Sequence, residues 1–414
     1  MVEVNKVPEL RFSEFIDDWN LSIFDQLVKV IDCKHRTPPY IEIGIPVVSP
    51  GTIKWGDLDL YAPTKWVSEE EYESLMDHCQ PSIGDLVFSR NQSIGVASIV
   101  ASDDKFVLGQ DTVLITPKTA DSYFVYQRLQ TRNVQASIFA LSGGSTFSRI
   151  NLKDIRRLKF YVPNQESEQQ KIASFLTAVE KRIQLLQKKK AKLEEYKKGV
   201  MQKLFPAKEG QTPEIRFKDD NGNDFPDWEE KKLGEVCKKA QSGGTPKSTN
   251  RDYYNGDIPF LAISDMTTQG KYLNYTSKSI SQSGLANSSS WVVPPNSLIY
   301  SMYASVGFVS INKIPIATSQ AVMNIILKEG YELEFLYYYL LYFQSKIHKY
   351  IETGTQGNIN AQIVKNILVP IPSLLEQRKI NSFLSSLDKS IGSIGKEIED
   401  SKTFKKGLLQ KMFV

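Results

Sequence analysis

The sequence is short of the residues on which catalytic and metal sites are built. Its 414 residues include only three histidines and three cysteines. Cys33, Cys79 and Cys237 are scattered and odd in number, which argues against a disulfide framework. A structural zinc site needs four ligands in paired spacing, whereas Cys33-x-His35 and His78-Cys79 are isolated pairs. We therefore expect no bound metal and a chain that folds in a reducing compartment, the cytoplasm.

Nucleotide and cofactor loops are also missing. Gly143-Gly144 and Gly243-Gly244 lack the Gly-x-x-x-x-Gly-Lys-Ser/Thr pattern of a phosphate cradle. Thr37-Pro-Pro-Tyr40 looks like the Asp/Asn-Pro-Pro-aromatic signature of amino-methyltransferases, but threonine is a poor acceptor for the target amine, and no Gly-x-Gly loop precedes it. A rigid proline turn is the better interpretation. These absences oppose a self-contained nuclease or methyltransferase and predict a chain that is not itself an enzyme.

Long apolar runs and a strong net charge are absent too. No run of about 18 apolar residues is present, so no membrane span is expected, and MVEVNKVPEL lacks the apolar core of a signal peptide. The net charge is only +4, so any nucleic-acid surface must be local. At 41% hydrophobic residues, the chain can form buried cores and is long enough for two or more domains.

What the sequence does contain is a repeat of half its length. The segments Glu168-Gln169, Lys171-Ile172, Phe175-Leu176 and Gln202-Lys203-Leu204-Phe205 return as Glu376-Gln377, Lys379-Ile380, Phe383-Leu384 and Gln410-Lys411-Met412-Phe413, with a constant offset (376 − 168 = 208). This period is too long for a solenoid and means two copies of a whole unit. Fused copies usually pack with pseudo-two-fold symmetry.

Each copy begins alike and then becomes β-rich and variable. The openings are Pro8-Glu-Leu-Arg-Phe12 with Trp19, and Pro213-Glu-Ile-Arg-Phe217 with Trp228. Runs of β-branched and aromatic residues bounded by turn residues predict strands at 45–49, 85–89 and 112–116, and at 258–262, 297–301 and 321–326. A helix is predicted at about 121–141 and 331–351, and a strand ending at Pro163 or Pro372 closes each domain.

A long helix of about 40 residues is predicted at the end of each copy, because apolar residues recur there every seven positions. The predicted coiled-coil seam consists of Ile172, Leu176, Val179, Ile183, Leu186 and Leu193 in one helix, and of Ile380, Leu384, Leu387, Ile391, Ile394 and Ile398 in the other. Ser373 and Glu376 predict a capping box. The alternative is that each helix packs on its own domain.

The predicted fold class is therefore α+β, with two globular β-rich domains joined by two long helices that form an antiparallel coiled coil of pseudo-two-fold symmetry. The predicted boundaries are 1–163 for the first domain, 164–205 for the first helix and 206–212 for a linker. The second domain then covers 213–372 and the second helix 373–414.

This order of unlike domains on like helices closely resembles the DNA-specificity (S) subunit of type I restriction-modification enzymes. The resemblance is carried by the repeated openings, the Ile-Pro strand starts at Ile45 and Ile258, Gly84-Asp-Leu-Val-Phe-Ser-Arg90 and the Glu-Gln-x-Lys-Ile helix starts. It implies two target-recognition domains, each reading half of a bipartite site on double-stranded DNA. It implies helices that set the gap and dock two methyltransferase (modification) subunits, joined by restriction/translocase subunits. S-adenosylmethionine, ATP and Mg would bind those partners.

Three loops in each domain are candidate DNA contacts, because arginine, asparagine and glutamine can read base edges while lysine and arginine bind phosphates. The candidates in the first domain are Lys34, Arg36, Thr37, Tyr40, Arg90, Asn91, Gln92, Ser145, Thr146 and Arg149. In the second domain they are Thr245, Lys247, Ser248, Tyr253, Tyr254, Tyr303, Thr355, Gln356 and Asn358. The alternative for each residue is a solvated turn former. Met302-Tyr303 stands where the first domain has Arg90-Asn91, so these positions need not make a shared contact.

A competing function belongs to another class. The chain could be a structural coiled-coil scaffold whose β-rich domains bind proteins. A symmetric scaffold needs no unlike domains on like helices, whereas a reader of an asymmetric bipartite site does.

Overall fold

The computed structural model describes residues 7–143, 148–208, 210–350 and 359–414. The chain divides into two compact units, Met1–Lys188 with Gly395–Val414, and Lys189–Ile394. Each unit thus contains one β-rich domain and a part of both long helices. The division between the two units falls inside each long helix and not at a predicted domain boundary. Among the described residues, no helix is long and apolar enough to cross a membrane.

Among its described residues, the first unit contains ten strands and five short α-helices ahead of the first long helix. The strands are β1 (Asn20–Ile23), β2 (Val28–Asp32), β3 (Ile45–Val48), β4 (Gly56–Asp57), β5 (Trp66–Val67), β6 (Leu86–Ser89), β7 (Ala97–Ile99), β8 (Val107–Leu108), β9 (Thr112–Pro117) and β10 (Lys159–Val162). The helices are α1 (Phe24–Leu27), α2 (Glu69–Met76), α3 (Ser122–Leu129), α4 (Arg132–Leu141), α5 (Leu152–Arg156) and the long α6 (Glu166–Leu204).

The second unit repeats this order. Its strands are β11 (Glu229–Lys232), β12 (Cys237–Ser242), β13 (Tyr254–Leu261), β14 (Tyr272–Leu273), β15 (Lys278–Ile280), β16 (Leu298–Ser301), β17 (Val309–Asn312), β18 (Ala317–Thr318), β19 (Val322–Leu327) and β20 (Leu368–Ile371). Its helices are α7 (Leu233–Val236), α8 (Ile263–Gln269), α9 (Gln282–Ala286), α10 (Leu333–Phe343), α11 (Ala361–Asn366) and the long α12 (Leu374–Lys411).

Both domains have the same sheet topology. Each has a five-stranded sheet, β2-β9-β6-β7-β4 or β12-β19-β16-β17-β14, a three-stranded sheet and a two-stranded sheet. All six strands predicted inside the domains are present, and so are the closing strands β10 and β20. The helix predicted at 121–141 is wrong as one element, because the chain breaks between α3 and α4. There the Thr131 hydroxyl donates to the carbonyl of Arg128 at 2.7 Å, which turns the chain before α4 begins.

The two long helices pair antiparallel inside each unit. In the first unit Lys405 donates to Glu180, and Arg182 donates to Glu397 at 2.6 Å, so later positions of α6 meet earlier positions of α12. In the second unit Lys197 of α6 donates to Asp388 of α12 at 2.5 Å. All twelve predicted seam residues are buried or half-buried.

The alternative packing is also partly right, because the helix ends belong to the domain cores. Ile172 and Leu176 of α6 share the core of the first domain with Leu408 of α12 and with Met412 directly after that helix. Met201 and Leu204 of α6, with Phe205 directly after that helix, share the core of the second domain with Ile380 and Leu384 of α12. Each domain therefore rests on one end of both helices.

The repeated opening motif fastens each domain to its own long helix. In the first unit, Arg11 Nε donates to Glu168 at 2.7 Å and Trp19 Nε1 donates to the same carboxylate at 3.2 Å. Glu168 is only 2% exposed, so without these donors a buried charge would lack partners. Gln169 accepts from the backbone N–H of Asp121 at 3.0 Å, which ties the start of α3 to α6.

The second unit repeats this clamp. Arg216 Nε and Trp228 Nε1 donate to Glu376 at 3.1 and 3.0 Å, and Gln377 accepts from the backbone N–H of Glu332 at 2.9 Å. The predicted capping box forms only in part. Ser373 Oγ accepts from the backbone N–H of Glu376 at 3.4 Å, but the Glu376 carboxylate is occupied by Arg216 and Trp228. Residues that carry the family resemblance at these positions are therefore structural.

Candidate DNA interface and partner surface

The three candidate loops of the first domain meet at one end of its five-stranded sheet, which we call the loop end. Antiparallel pairing places Asp32, the last residue of β2, beside Val113 of β9, and Ser89, the last residue of β6, beside Thr112. The third loop returns to the same place, because the backbone N–H of Ile150 donates to the carbonyl of Arg90 at 2.9 Å. Loops far apart in sequence therefore form one surface.

The second domain has an equivalent loop end. Ser242 at the end of β12 pairs with Met323, and Ser301 at the end of β16 pairs with Val322. The backbone N–H of Ile359 donates to the carbonyl of Met302 at 3.1 Å, as Ile150 does to Arg90. The described residues of both domains thus bring the same three chain segments together at this end of the sheet.

The basic residues of the first loop are held by acidic neighbours. Lys34 Nζ donates to Asp77 at 2.6 Å, and Arg36 forms an ion pair with Glu71 at 2.7 Å. Both cations keep about a third or more of their side-chain surface exposed, so they remain within reach of a phosphate. Tyr40 is 41% exposed, and Lys65 Nζ lies 4.6 Å from the centre of its ring.

Arg90 is not placed as a base reader. It is 4% exposed, its Nε donates to the carbonyl of Ile150 at 3.2 Å, and NH1 donates to Asp32 at 3.0 Å. This placement argues against the predicted base contact and explains its replacement by Met302, which is 3% exposed. The equivalent of Asp32 is Ser242, so both members of a buried ion pair are absent from the second domain together.

The second loop keeps its backbone and changes its side chains between the domains. Ser89 Oγ donates to the carbonyl of Asn91 at 2.6 Å, and Ser301 Oγ donates to that of Tyr303 at 2.7 Å. The next residue has a positive φ in both loops, 51° at Gln92 and 47° at Ala304. Gln92 and Tyr303 are exposed, whereas the Asn91 amide donates to Asp111 at 2.7 Å. The same backbone conformation therefore presents different side chains in the two domains.

The first loop of the second domain carries five candidates. Thr245, Lys247 and Ser248 are exposed. Tyr253 and Tyr254 are half-buried, and the Tyr254 hydroxyl donates to the carbonyl of Pro246 at 2.6 Å. Tyr254 thus shapes the loop and Thr245 Oγ1 donates to Gln320, while Lys247 and Ser248 are exposed.

The third loop is described only in part. Ser145, Thr146, Thr355, Gln356 and Asn358 lie outside the described residues. Arg149 is exposed and forms an ion pair with Asp111 at 2.7 Å.

Sequence reasoning missed one residue in each loop end. Gln110 and Gln320 are exposed and stand two positions before β9 and β19. The Gln110 amide donates to Thr37 Oγ1 at 3.2 Å, and Thr245 Oγ1 donates to Gln320 at 2.7 Å. The one sequence signal for these residues is that a glutamine stands two positions before the same strand in both copies.

Cys33 and His35 are less isolated than their spacing suggests. Cys33 Sγ lies 3.9 Å from His35 Nδ1, and His35 Nε2 lies 2.8 Å from Asp32, so three metal-ligating groups come together. A structural zinc site uses four ligands, and Asp32 is already held by Arg90. Burial raises the pKa of Cys33, which disfavours the thiolate that would bind a metal. The absence of a metal remains a prediction.

A second surface lies on the long helices, in a segment that both copies retain. It runs from Tyr196 to Phe205 across the end of α6, and from Phe404 to Phe413 across the end of α12, 208 positions later. Tyr196 and Phe404 are 53% and 57% exposed. We call these two stretches the repeated helix ends.

A cleft lies beside each repeated helix end. The cleft of the second unit has a volume of about 370 Å³ and is lined by Lys198, Met201, Gln202 and Tyr342, among others. The cleft of the first unit has a volume of about 410 Å³ and is lined by Leu409 and Gln410, the equivalents of Met201 and Gln202. The same helix positions therefore open onto a groove in both units.

Comparison with known proteins identifies the family. The family model described as type I restriction modification DNA specificity domain matches residues 34–195 and 226–400. The putative type I restriction enzyme MjaX specificity subunit of Methanocaldococcus jannaschii is 27% identical, over 98% of this chain and 93% of that protein. The MjaIX specificity subunit of the same organism is 28% identical over 49% of this chain, which spans about half of that subunit (47%).

Two solved structures share the fold. The S subunit of a type I restriction-modification system from M. genitalium matches with a TM-score of 0.60 and 18% identity, over 99% of both chains. A chain solved in work on complex assembly and conformational transition of the type I R-M system matches with a TM-score of 0.58 and 17% identity, over 95% of this chain and 97% of that one.

Proposed function

The chain belongs to the type I restriction-modification DNA specificity family, and from that premise we propose that each of its two domains reads one half of a bipartite site on double-stranded DNA. Its role is that of a DNA-specificity subunit. The long helices that connect the domains fix the gap between the half-sites. Readers of this kind face successive major grooves when half-site centres lie about one helical turn apart, roughly 34–36 Å.

The observation that carries this proposal is one loop scaffold with two sets of side chains. The loops after β6 and β16 share a serine hydrogen bond and a positive φ, yet they display Asn91-Gln92 in one domain and Tyr303-Ala304 in the other. A protein-binding scaffold with two equal sites would need the same side chains twice. A reader of two different half-sites needs different side chains on the same frame, because base edges are distinguished by their donors and acceptors.

Partner docking is assigned to the repeated helix ends. Gly199 and Gly407 lie inside long helices, where glycine costs about 1 kcal/mol relative to alanine. The described residues place nothing within 4 Å of a Cβ built on either glycine, so the fold of this chain gives no reason for them. Close approach of a partner's backbone would give that reason.

The duplication argues for two copies of the same partner. Tyr196 and Phe404 offer an exposed aromatic ring beside each glycine, and exposed aromatic rings are frequent anchors of protein interfaces. Two modification subunits, one for each repeated helix end, fit this arrangement. Restriction/translocase subunits join the assembly through them.

Chemistry belongs to those partners in this proposal. S-adenosylmethionine, ATP and Mg bind the modification and restriction subunits. This chain determines the DNA sequence at which the assembly binds. The assembly works in the cytoplasm. Burial raises the pKa of Cys79 to about 11 and that of Cys237 to about 12, so neither thiol is poised as a nucleophile.

A domain exchange tests the proposal. Residues 1–163 are replaced by the corresponding domain of a relative that directs a different methylated sequence, and the exchanged subunit is co-expressed with the modification subunit. Sequencing of methylated adenines should show one half of the site changed and the other half retained, with the same gap. A change in both halves, or in neither, would contradict independent reading, and the reciprocal exchange of 213–372 is the matched control.

A further inference from the structure

We propose that Gln110 and Gln320 each read one adenine, in separate half-sites, and that Thr37 and Thr245 position them. This inference rests on the proposed function, because it names the side chains with which each domain discriminates bases. It concerns a contact that both domains share, whereas their other loop residues differ.

The two Thr–Gln pairs occupy equivalent places in the two domains. Thr37 and Thr245 are 208 positions apart, and each is an exposed threonine that precedes a buried proline. Gln110 and Gln320 each stand two residues before a strand, β9 or β19, that pairs with the strand preceding the threonine, β2 or β12. The two contacts bridge 73 and 75 residues of sequence. The pairing is therefore a product of the fold, retained while the neighbouring loop residues changed.

The contact with threonine restricts the glutamine side chain. A free glutamine side chain loses conformational entropy when it binds a base. The hydrogen bond to threonine, 3.2 Å at Gln110 and 2.7 Å at Gln320, fixes the amide before DNA arrives. Gln110 donates to its threonine and Gln320 accepts from its threonine, so in each pair one atom of the amide is held by the hydroxyl.

The glutamine amide keeps hydrogen-bonding groups that match adenine. A glutamine amide can accept from the adenine 6-amino group and donate to N7 at the same time. Its nitrogen carries two hydrogens and its oxygen two lone pairs. One hydrogen bond to threonine therefore leaves a donor and an acceptor for the base. No other base offers the same donor–acceptor pair in the major groove.

The arginines at the loop end of the first domain are less suited to read a base than Gln110. Arg90 is buried against Asp32, and Arg36 is paired with Glu71. Arg149 is paired with Asp111. Gln110 is exposed, carries no charge to be neutralised, and borders a cleft of about 260 Å³. Among these side chains it is the one whose hydrogen-bonding edge is both fixed and accessible.

The test uses the complete complex with its modification subunits, on duplexes carrying the wild-type methylated site. Every position of each half-site is substituted by the other three bases, and each adenine by 7-deazaadenine, which lacks the N7 acceptor. For the wild type, one adenine in each half should be sensitive to both changes. Gln110→Ala should weaken binding about 5- to 150-fold and make that single position of its half-site indifferent to the base, leaving the other half unchanged. Gln320→Ala should do the same in the opposite half.

Controls separate reading from folding and from general affinity. Gln187→Ala, at an exposed position of α6, should change neither selectivity nor affinity. Thr37→Val removes the positioning hydroxyl and should reduce selectivity at the same position by less than Gln110→Ala does. If Gln110→Ala fails to fold, Gln110→Glu keeps the side-chain length and should exchange the preference for adenine for one for cytosine, whose 4-amino group donates to a carboxylate.

Several outcomes would overturn the inference while the proposed function stands. One is a wild-type bipartite site at which Gln110→Ala retains full selectivity at every position. Another is a loss of affinity that is equal for all sequences, which would mean a backbone contact. A half-site without adenine would also overturn it. Loss of bipartite recognition by the wild-type complex itself would instead refute the proposed function.

Discussion

Removing the lysine of the ion pair between Lys405 and Glu180 should destabilise the first unit far more than removing an exposed lysine of the same helix. These side chains are only 14% and 15% exposed, and they join α12 to α6. Gln127 of α3 donates to the same carboxylate at 2.9 Å, so three elements meet at Glu180. The second unit repeats the arrangement 208 positions away, with Lys197, Asp388 and Tyr338.

The magnitude follows from what remains after the change. Truncating one partner of a fully buried ion pair costs about 3–5 kcal/mol, because the other charge is left without its partner. In Lys405→Met, Glu180 would keep two weaker donors, Gln127 at 2.9 Å and Gln130 at 3.3 Å. We therefore expect a loss of about 2–3 kcal/mol in the free energy of unfolding. The double variant Lys405→Met/Glu180→Met should regain most of it, because replacing both charges by apolar groups is often neutral.

The assay is urea unfolding followed by circular dichroism, arranged as a double-mutant cycle. Lys402→Met is the matched control, since Lys402 pairs with Glu399 in the same helix at 47% and 70% exposure. It should cost less than about 0.5 kcal/mol, as exposed pairs do. Lys197→Met should cost less than Lys405→Met, because Lys271 lies 3.8 Å from Asp388 and remains as a second cation. A coupling energy near zero, or equal losses for Lys405→Met and Lys402→Met, would refute the reasoning.

Three further predictions concern the seam, the clamp and the buried arginine. Leu186→Lys combined with Leu387→Lys should place unpaired charge in the seam at several kcal/mol and abolish co-purification with the modification subunit, and a normal complex would mean that the seam is misassigned. Glu376→Ala should cost about 3 kcal/mol in urea unfolding, because Arg216 and Trp228 lose their shared acceptor, whereas an unchanged midpoint would contradict the clamp. Arg90→Met with Asp32→Ser, which copies the second domain, should leave the methylated sequence unchanged, and a new base preference in the first half-site would restore Arg90 as a reader.

Much of the fold could be predicted because local residue patterns indicate its helices and strands. The seven-residue spacing gave helices within a few residues of α6 and α12, and the strands at the domain centres were visible as β-branched runs. The break at Thr131 was not visible, because the apolar pattern continues across it and a side-chain hydrogen bond to the backbone decides the turn. Local periodicity thus identifies elements better than it identifies their interruptions.

The candidate site was harder to predict, because its chemistry depends on partners distant in sequence. Arg90 follows a strand and precedes Asn91, which favours an exposed reader, but Asp32 lies 58 residues away and takes its guanidinium inward. Gln110 was missed for the opposite reason. Nothing near it in sequence marks it, and Thr37, 73 residues earlier, holds it at the surface. Comparing the two copies would have found both cases. The second domain has neither member of the Arg90–Asp32 pair, whereas both domains have the Thr–Gln pair.

That comparison also bears on where domains can be exchanged. A boundary after 163 moves Arg11 and Trp19 with the incoming domain and leaves Glu168 on α6. The second unit rebuilds the same clamp with Arg216 and Trp228 on Glu376, so the attachment tolerates domains that otherwise differ. A donor domain with the arginine and tryptophan of the opening motif should therefore fold on α6. A donor without them would leave Glu168, 2% exposed, as an unpaired buried charge, and should fail as a folded subunit whichever sequence its loops read.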